Sequence, residues 1–447
     1  MTEWDEAERR VERAHEAYER GRWEEALREL KAAIAINPYN GAWYFNLGLT
    51  LDMMERFDEA IAAYHRALEM DPDDVELLNA LGQDCVRAGN FDEAITRFNR
   101  IEQINPAFEP AYCNRILAYS EKGEHEVADQ MFYLARQYKE KCPQCFYNIG
   151  GSLMSRGLFD RALWCWQQVL ELEPEHPRVH ARMAEAFWAK GLLGEARQHY
   201  LEELRSDPGD LDTMLNLGEL LVEMGQTNAA AEKFRQVLEL QPDESTAHFH
   251  LGQLATGEGD LVLAVQQFRR VLRIDAAYPG AHLKMAQIYH RQADGAEALY
   301  HANCELAQQQ LDEGTLVELG NLLMDLNQLG SAETAFRRVL DANPQNIAAR
   351  HNLAVTLLLN AHIDEGIEQC KLALRSQPKY MLAMHNLALA YRTKGDFVRA
   401  QYWLREALDI APDDPQLRQL RTKLRVGRLW QRVRALPQRM LGKSGKR

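Results

Sequence analysis

Nine prolines constrain this chain more than any other feature. Pro38, Pro72, Pro106, Pro174, Pro208, Pro242, Pro344, Pro378 and Pro412 are separated by 34 residues or by multiples of 34. With that proline counted as position 32, units of 34 run from residue 7 to residue 414, twelve in all, with no insertion or deletion. A chain of 447 residues would suggest about three ordinary domains, but a fixed period of this length overrides that expectation. The proline ends a helix, because the residue before it is pushed out of helical geometry.

Other positions keep the same register. Position 8 is small in almost every unit (Gly48, Gly82, Gly150, Ala184, Gly218, Gly252, Ala286, Gly320), and position 20 is alanine in all units but one, where it is Gly366. Position 24 is large and apolar in most (Tyr64, Phe98, Phe132, Trp166, Tyr200, Phe234, Phe268, Phe336). Positions 4, 7, 8 and 11 share one face of a first helix, and 20, 24 and 27 share one face of a second. The small residues predict close approach of two helices, with the bulky one filling the space beside them. A turn at position 15 carries Gly21, Gly89, Gly123, Gly157, Gly191, Gly225, Gly259 or Gly395 in eight units. One such pair cannot bury its apolar face alone, whereas stacked pairs bury a continuous core.

Units such as Ala42-Trp43-Tyr44-Phe45-Asn46-Leu47-Gly48, then Phe57-Asp58-Glu59-Ala60 and Asp71-Pro72, resemble the tetratricopeptide repeat (TPR) family. The resemblance covers residues 7–414. It implies an all-α fold, a right-handed α-solenoid superhelix of about twelve helix-turn-helix units, with first helices lining a concave groove. It also implies a protein–protein interaction scaffold that binds an extended segment of a partner in that groove, mainly through positions 2, 5, 9, 12 and 13.

Two patterns fall on the expected groove. Position 6 carries Asn46, Asn114, Asn148, Asn216, Asn352 and Asn386, interrupted by Ala80, Arg182, His250, Lys284 and Glu318. This resembles the asparagine ladder in the repeats of O-linked N-acetylglucosamine transferase, where such residues grip a peptide backbone. An amide suits that task because it both donates and accepts. The same side chain could instead bridge neighbouring helices. Position 9 carries Glu185, Glu219, Gln253, Gln287 and Asn321 in units 6 to 10, against Leu49, Leu117, Val355 and Leu389 nearer the ends. If these face inward, the groove is apolar towards both ends and polar, partly acidic, in the middle; the alternative is a solvated face without a ligand. His351 and His385 both occupy position 5 and are expected to line the groove as hydrogen bonders. Successive units repeat at roughly 10 Å, too far for two such rings to share a metal ion. Positions 5 and 9 never combine lysine with asparagine, so the family's clamp for a C-terminal carboxylate is not expected.

Units 4 and 9 depart from the pattern. Unit 4 (109–142) has Ile116 at position 8 and Glu140 where proline is expected; unit 9 (279–312) has Ala302 at 24, Glu305 at 27, Gln310 at 32 and Ala293 at the turn. Each is a candidate hinge unless local repacking compensates.

Motifs for catalysis are missing: no phosphate-binding glycine loop, zinc-protease pair or nucleophile elbow is present. With six residues before the repeats and 33 after, no enzyme activity and no cofactor are expected. Cys142-Pro143-Gln144-Cys145 is the single CxxC, with Cys113 and Cys165 as further candidate ligands. Structural zinc usually takes two such pairs, so the motif reads as a loop and helix start, without a metal.

Charge is unevenly distributed. Residues 415–447 hold 11 basic and no acidic residues, while the preceding 414 carry a net charge of −25. The repeat body should therefore repel nucleic acid, whereas the tail could attract an anionic membrane surface or another polyanion. Leu417, Leu420 and Leu424 predict a capping helix over 415–426, followed by a basic tail (427–447) in which Leu429, Trp430, Val433, Leu436 and Met440 alternate with arginines. That tail supports an alternative role as an adaptor recruited to a membrane. A further alternative is a regulatory subunit of an enzyme on a separate chain. No stretch reaches the ~18 apolar residues of a membrane span, residues 1–8 have neither the positive start nor the apolar core of a signal peptide, and seven cysteines form no disulfide framework. A cytoplasmic location, with or without peripheral membrane contact, is expected.

Overall fold

The computed structural model describes residues 3–435. Within them the chain forms 25 α-helices, from Glu3–Glu19 to Pro415–Ala435, an all-helical array of paired helices in the register set by the prolines. None is long and apolar enough to cross a membrane. Two compact units, 1–230 and 231–447, divide the chain inside the helix Thr227–Leu240.

In the first unit the helix pairs are repeats 1 to 6, followed by Leu211–Glu223. Glu3–Glu19 absorbs most of the expected N-terminal extension, because the apolar stripe of repeat 1 already includes Ala7 and the helix simply continues upstream. The relation between positions 8 and 24 is tighter than the sequence suggests. The aromatic ring lies on the glycine itself: a β-carbon at Gly48 would sit 2.2 Å from Tyr64, one at Gly82 2.4 Å from Phe98, and one at Gly150 2.4 Å from Trp166. Where position 8 is Ile116 instead, Phe132 is 8% exposed against 0% for Phe98. Repeat 4 thus accommodates its isoleucine by lifting the ring.

At the next junction the missing proline has a larger effect. The second helix of repeat 4 ends at Tyr138, and Pro143 begins the first helix of repeat 5, Pro143–Ser155. That helix packs extensively along Glu109–Glu121, the first helix of repeat 4, and only lightly on His125–Tyr138.

The second unit repeats the same chemistry. Phe268 covers Gly252 and Phe336 covers Gly320, with β-carbon approaches of 2.8 and 2.6 Å. The final helix, Pro415–Ala435, is started by Asp414, whose carboxylate accepts from Leu417 N. It buries Leu417, Leu420 and Leu424. It does not stop at 426 as expected. Gly427 lies against Phe397, where a β-carbon would come within 2.6 Å of the ring, so the glycine acts as a packing position and the helix runs on. Side chains from 428 onward and the rest of the tail, with Trp430, Leu436 and Met440, lie outside the described residues.

The position-15 turn is left-handed in all twelve repeats. Glycine serves in eight, and Glu55, Ala293, Asn327 and Ala361 hold φ of 57–62° in the others.

Repeats 6 and 9 are a distinct pair. In both, proline stands at position 1, position 2 is left-handed (Arg178, φ 64°; Gly280, φ 81°), and the first helix starts late, at Val179 or Ala281. Position 27, apolar in the other ten repeats, is a buried glutamate here. Glu203 accepts from Arg178 N and Ala181 N at 2.9 and 3.0 Å. Glu305 accepts from Gly280 N and Leu283 N at 2.7 and 2.9 Å. Each carboxylate caps the first helix of its own repeat from within the core. Glu305 is therefore the compensation inside repeat 9 rather than a defect in it.

Candidate functional site

Each first helix presents positions 5, 6, 9, 12 and 13 away from its second helix, and depressions open between successive first helices. In the first unit one of about 170 Å³ is lined by His15, Tyr18, Asn46 and Leu49. The next, about 520 Å³, is lined by Gln83, Val86, Arg87, Asn114, Leu117 and Cys142. A third, about 390 Å³, is lined by Leu117, Ser120, Asn148, Ser152, Ser155 and Arg182. In the second unit Gln253, Thr256, Lys284, Gln287 and Arg291 line another of about 330 Å³. Of the expected groove residues, Asn46, Asn114, Asn148, Gln253 and Gln287 line these depressions. One further depression, with His65, Thr96 and Arg100, opens on the side of the second helices.

The asparagines of position 6 reach back to the preceding first helix. Asn114 Nδ2 donates to Asn79 Oδ1 at 2.9 Å, Asn148 Nδ2 to the Cys113 carbonyl at 2.7 Å, and Asn352 Nδ2 to Asn321 Oδ1 at 2.8 Å. Asn386 Nδ2 lies 3.4 Å from His351 Nδ1. Asn148 also accepts from Gln144 at 3.0 Å, so its amide is engaged at both ends and it is buried. Of the six, Asn46 is exposed and Asn216 half-buried on the same face. Bridging of neighbouring helices is therefore what this amide does in four repeats. A planar amide suits this because it can donate to the helix before it while keeping an acceptor towards the depression.

Two acids in the middle of the face, Glu185 at position 9 and Glu318 at position 6, have cationic partners. Glu185 pairs with Arg182 at 3.0 Å. Glu318 accepts from Lys284 at 3.1 Å and from Gln287 at 3.0 Å. Burial alone would raise the Glu318 carboxyl, but those two donors hold it below its ordinary range. Glu219, Gln253 and Gln287 are half-buried on the face, and Asn321 is exposed. The middle of the face is thus polar and partly acidic, with Arg182 beside Glu185 and Lys284 beside Glu318. His351 and His385 are half-buried, and burial lowers both imidazoles, with the neighbouring His385 adding to the effect at His351. Neither belongs to a group of ligands close enough for one ion among the described residues.

Sequence reasoning passed over two arrangements and set a third, the CxxC, aside as a loop and helix start. Asp84 is buried beside Asp52, with Arg87 between them, and burial followed by the Asp52 charge pushes its carboxyl up to about 7. Histidines at positions 4 and 23 meet in pairs, His180 with His199 and His282 with His301; the signal was their shared register in repeats 6 and 9. Finally, Cys113, Cys142 and Cys145 converge, while Cys165 stays outside the cluster. Cys142 is held below the usual thiol range because Cys113 and Cys145 hydrogen-bond to it, whereas Cys113 and Cys145 are pushed up.

Comparison with known proteins agrees with the packing. The sequence profile described as tetratricopeptide repeat matches residues 147–210, 215–282, 317–380 and 360–415. Related repeat profiles match 42–74 and 14–54. Human protein O-mannosyl-transferase TMTC1 is 26% identical over 192 residues, 42% of this chain and 21% of that protein. The Arabidopsis thaliana CTR9 homolog is 30% identical over 155 residues, 32% of this chain and 14% of that protein. The chain thus spans less than a quarter of the length of these relatives. Among solved structures, yeast Tom70 aligns over 98% of this chain and 99% of its own, with 14% identity and a TM-score of 0.42. YrrB, described as a TPR protein with an unusual peptide-binding site, aligns over 43% of this chain and 99% of its own, with 21% identity and a TM-score of 0.39.

Proposed function

The chain belongs to the tetratricopeptide repeat family, generally a scaffold for protein interactions, and from that premise we propose that it is a non-catalytic scaffold that holds an extended segment of a partner protein against its first helices. One observation carries the reading: in both units the depressions between first helices are walled by positions 5, 6, 9, 12 and 13. An extended strand crossing them meets a new set of side chains every repeat. Leu49 and Leu117 offer apolar contact, Gln253 and Gln287 offer amides for backbone pairing, and Arg182 and Lys284 offer charge. The likeness to the ladder of O-linked N-acetylglucosamine transferase enters here in a narrower form. Asn46 and Asn216 are the asparagines best placed to reach a bound backbone, and Asn148 serves to hold neighbouring helices.

The test is a random-peptide display selection on the full chain, followed by hydrogen exchange with the selected peptide bound. Protection on first helices, and a loss of about tenfold in affinity for Asn46→Ala/Asn216→Ala, about 1.4 kcal/mol, is the expected result. Protection confined to second helices would overturn the reading.

A further inference from the structure

The three converging cysteines come from two helices that the irregular repeat 4 brings together. Cys113 stands at position 5 of its first helix. Cys142 and Cys145 stand at the last position of repeat 4 and the third of repeat 5. Cys113 Sγ lies 3.3 Å from Cys142 Sγ and 2.8 Å from Cys145 Sγ, and all three sulfurs fall within 4.8 Å of one another. Each residue is at most 7% exposed. Among the described residues this is the one group of three or more potential ligands drawn so close.

Close-packed thiols can be simple hydrophobic filling, and two cysteines outside the cluster fit that reading. Cys85 and Cys370 are buried singly, at the apolar core positions 11 and 24. The triad differs in two respects. First, Cys142 occupies position 34, where Asn40, Asp74, Asp210, Asp312, Asn346 and Asp414 cap the following helix in other repeats through side-chain oxygens. Its sulfur takes over that task, accepting from Cys145 N at 3.4 Å. A neutral thiol is a weak acceptor, whereas a thiolate is a strong one, and a helix N-terminus favours negative charge. Second, the cluster is not sealed. Cys113 and Cys142 line the cavity of about 520 Å³ together with Glu109, Lys139, Gln144 and Glu173, which gives a path from solvent to the sulfurs.

We propose that Cys113, Cys142 and Cys145 form a site for one thiophilic metal ion of the zinc class, bound by three thiolates, with its fourth position turned to the cavity. Two ligands one helical turn apart and a third from the adjacent helix make a tripod of sulfurs at the spacing that ligation at about 2.3 Å demands after small adjustment. Three thiolates packed together repel one another, so the full set forms only as the cation enters. One M²⁺ with the three cysteines gives M(S–Cys)₃⁻ and releases two protons where Cys142 is already a thiolate at its helix start, three where it is not, and these leave through the cavity. Among the described residues no fourth cysteine, histidine or carboxylate joins the cluster, and Glu109 is held at 2.7 Å by Lys139. Water or an external ligand then completes the coordination. Such a three-ligand site keeps an exchangeable position, unlike a closed structural one. It lies on the same face as the proposed peptide track but does not depend on that track.

The experiment is titration of Co²⁺ into the full chain, freshly reduced and freed of metal, followed by thiolate-to-cobalt charge-transfer absorption and by proton release. Saturation at one ion per chain, two to three protons released, and displacement of cobalt by Zn²⁺ are expected. Cys113→Ser, Cys142→Ser and Cys145→Ser should each weaken binding by about 100-fold or more, and Cys165→Ser should leave it unchanged. The wild-type titration needs no variant to fold. Absence of the charge-transfer band in the reduced wild-type chain, or a band that survives all three changes, overturns the proposal. So does a triad found only as a disulfide, with no cobalt taken up after reduction.

Discussion

Repeats 6 and 9 carry the same internal device in different surroundings. Both cap a late-starting first helix with a carboxylate from position 27, and both set a histidine pair beside it, Nδ1 to Nδ1 at 3.0 Å in repeat 6 and 2.7 Å in repeat 9. A ring from position 11 stacks on the second histidine in each, Phe187 on His199 and Tyr289 on His301. The difference lies at positions 2, 15 and 24. Repeat 6 has Arg178, Gly191 and Tyr200; repeat 9 has Gly280, Ala293 and Ala302. With alanine at position 24, Tyr289 and His301 fill the interior, and Glu305 is sealed completely while Glu203 keeps 5% exposure. The comparison teaches that a buried polar network can replace the large ring of the repeat, at the cost of depending on every hydrogen bond it makes.

The strongest way to break the likeness is to remove each carboxylate. Glu305→Leu leaves two buried amide donors without an acceptor, and each such loss costs about 1–3 kcal/mol, so about 4 kcal/mol is expected. Glu203→Leu should cost about 2 kcal/mol, because Arg178 is exposed and water can reach its amide. Array proteins unfold in parts, so local hydrogen exchange over 177–210 and 279–312 is the measurement. Equal acceleration in both repeats would show that the extra sealing of repeat 9 is energetically empty.

A second separation is by pH. Burial pushes the His301 imidazole down to about 4, helped by His282 and by Arg269, and His282 is lowered by burial as well. A folded-state value below the unfolded one means that the unfolded chain binds the proton first, so stability falls as pH drops from about 6.5 towards 4. At one pKa unit per 1.4 kcal/mol the upper limit is about 3 kcal/mol for His301. Glu305 acts in the opposite sense: burial raises its carboxyl, despite the amides that donate to it, so its cost fades as pH falls into that raised range. Glu297, 3.9 Å from His301, faces the ring on its exposed side. In repeat 6 burial lowers His199, which is half-buried. Exchange in 279–312 should therefore quicken more between pH 7 and 5 than in 177–210, and His301→Gln should remove most of that excess. Matching pH profiles for the two repeats would contradict the assignment.

These effects show where the chain is readable in advance. The period names every helix pair, because proline at 32, alanine at 20 and a ring at 24 are purely local demands of two packed helices. It finds the depressions too, since positions 9, 12 and 13 must face away from the second helix. It does not reveal Glu203, which stands where ten other repeats are apolar and looks like a surface glutamate until position 2 turns left-handed. Nor does it choose between Cys113 and Cys165 as the partner of the CxxC. That choice depends on how far Pro143–Ser155 leans onto Glu109–Glu121, which follows from a missing proline and a displaced ring, not from any one residue. The asparagines of position 6 are legible as amides on a face, but their direction is set by the neighbouring repeat.

The smallest difference between the two repeats is also the cleanest. Gly191 and Ala293 both sit at position 15 with positive φ, 75° and 61°. A β-carbon on Gly191 would meet no atom within 4 Å, so only conformational cost is at stake there. An L-residue in this region costs about 1–2 kcal/mol, partly offset by the larger entropy that glycine loses on folding, about 0.5–1 kcal/mol. Ala293→Gly should therefore stabilise repeat 9 by about 0.5–1 kcal/mol, and Gly191→Ala should destabilise repeat 6 by a similar amount. Thermal or urea unfolding, with exchange to localise the change, measures both. A destabilising Ala293→Gly would mean that the alanine methyl contributes packing worth more than its strained backbone, and the turn of repeat 9 would then differ in kind from that of repeat 6.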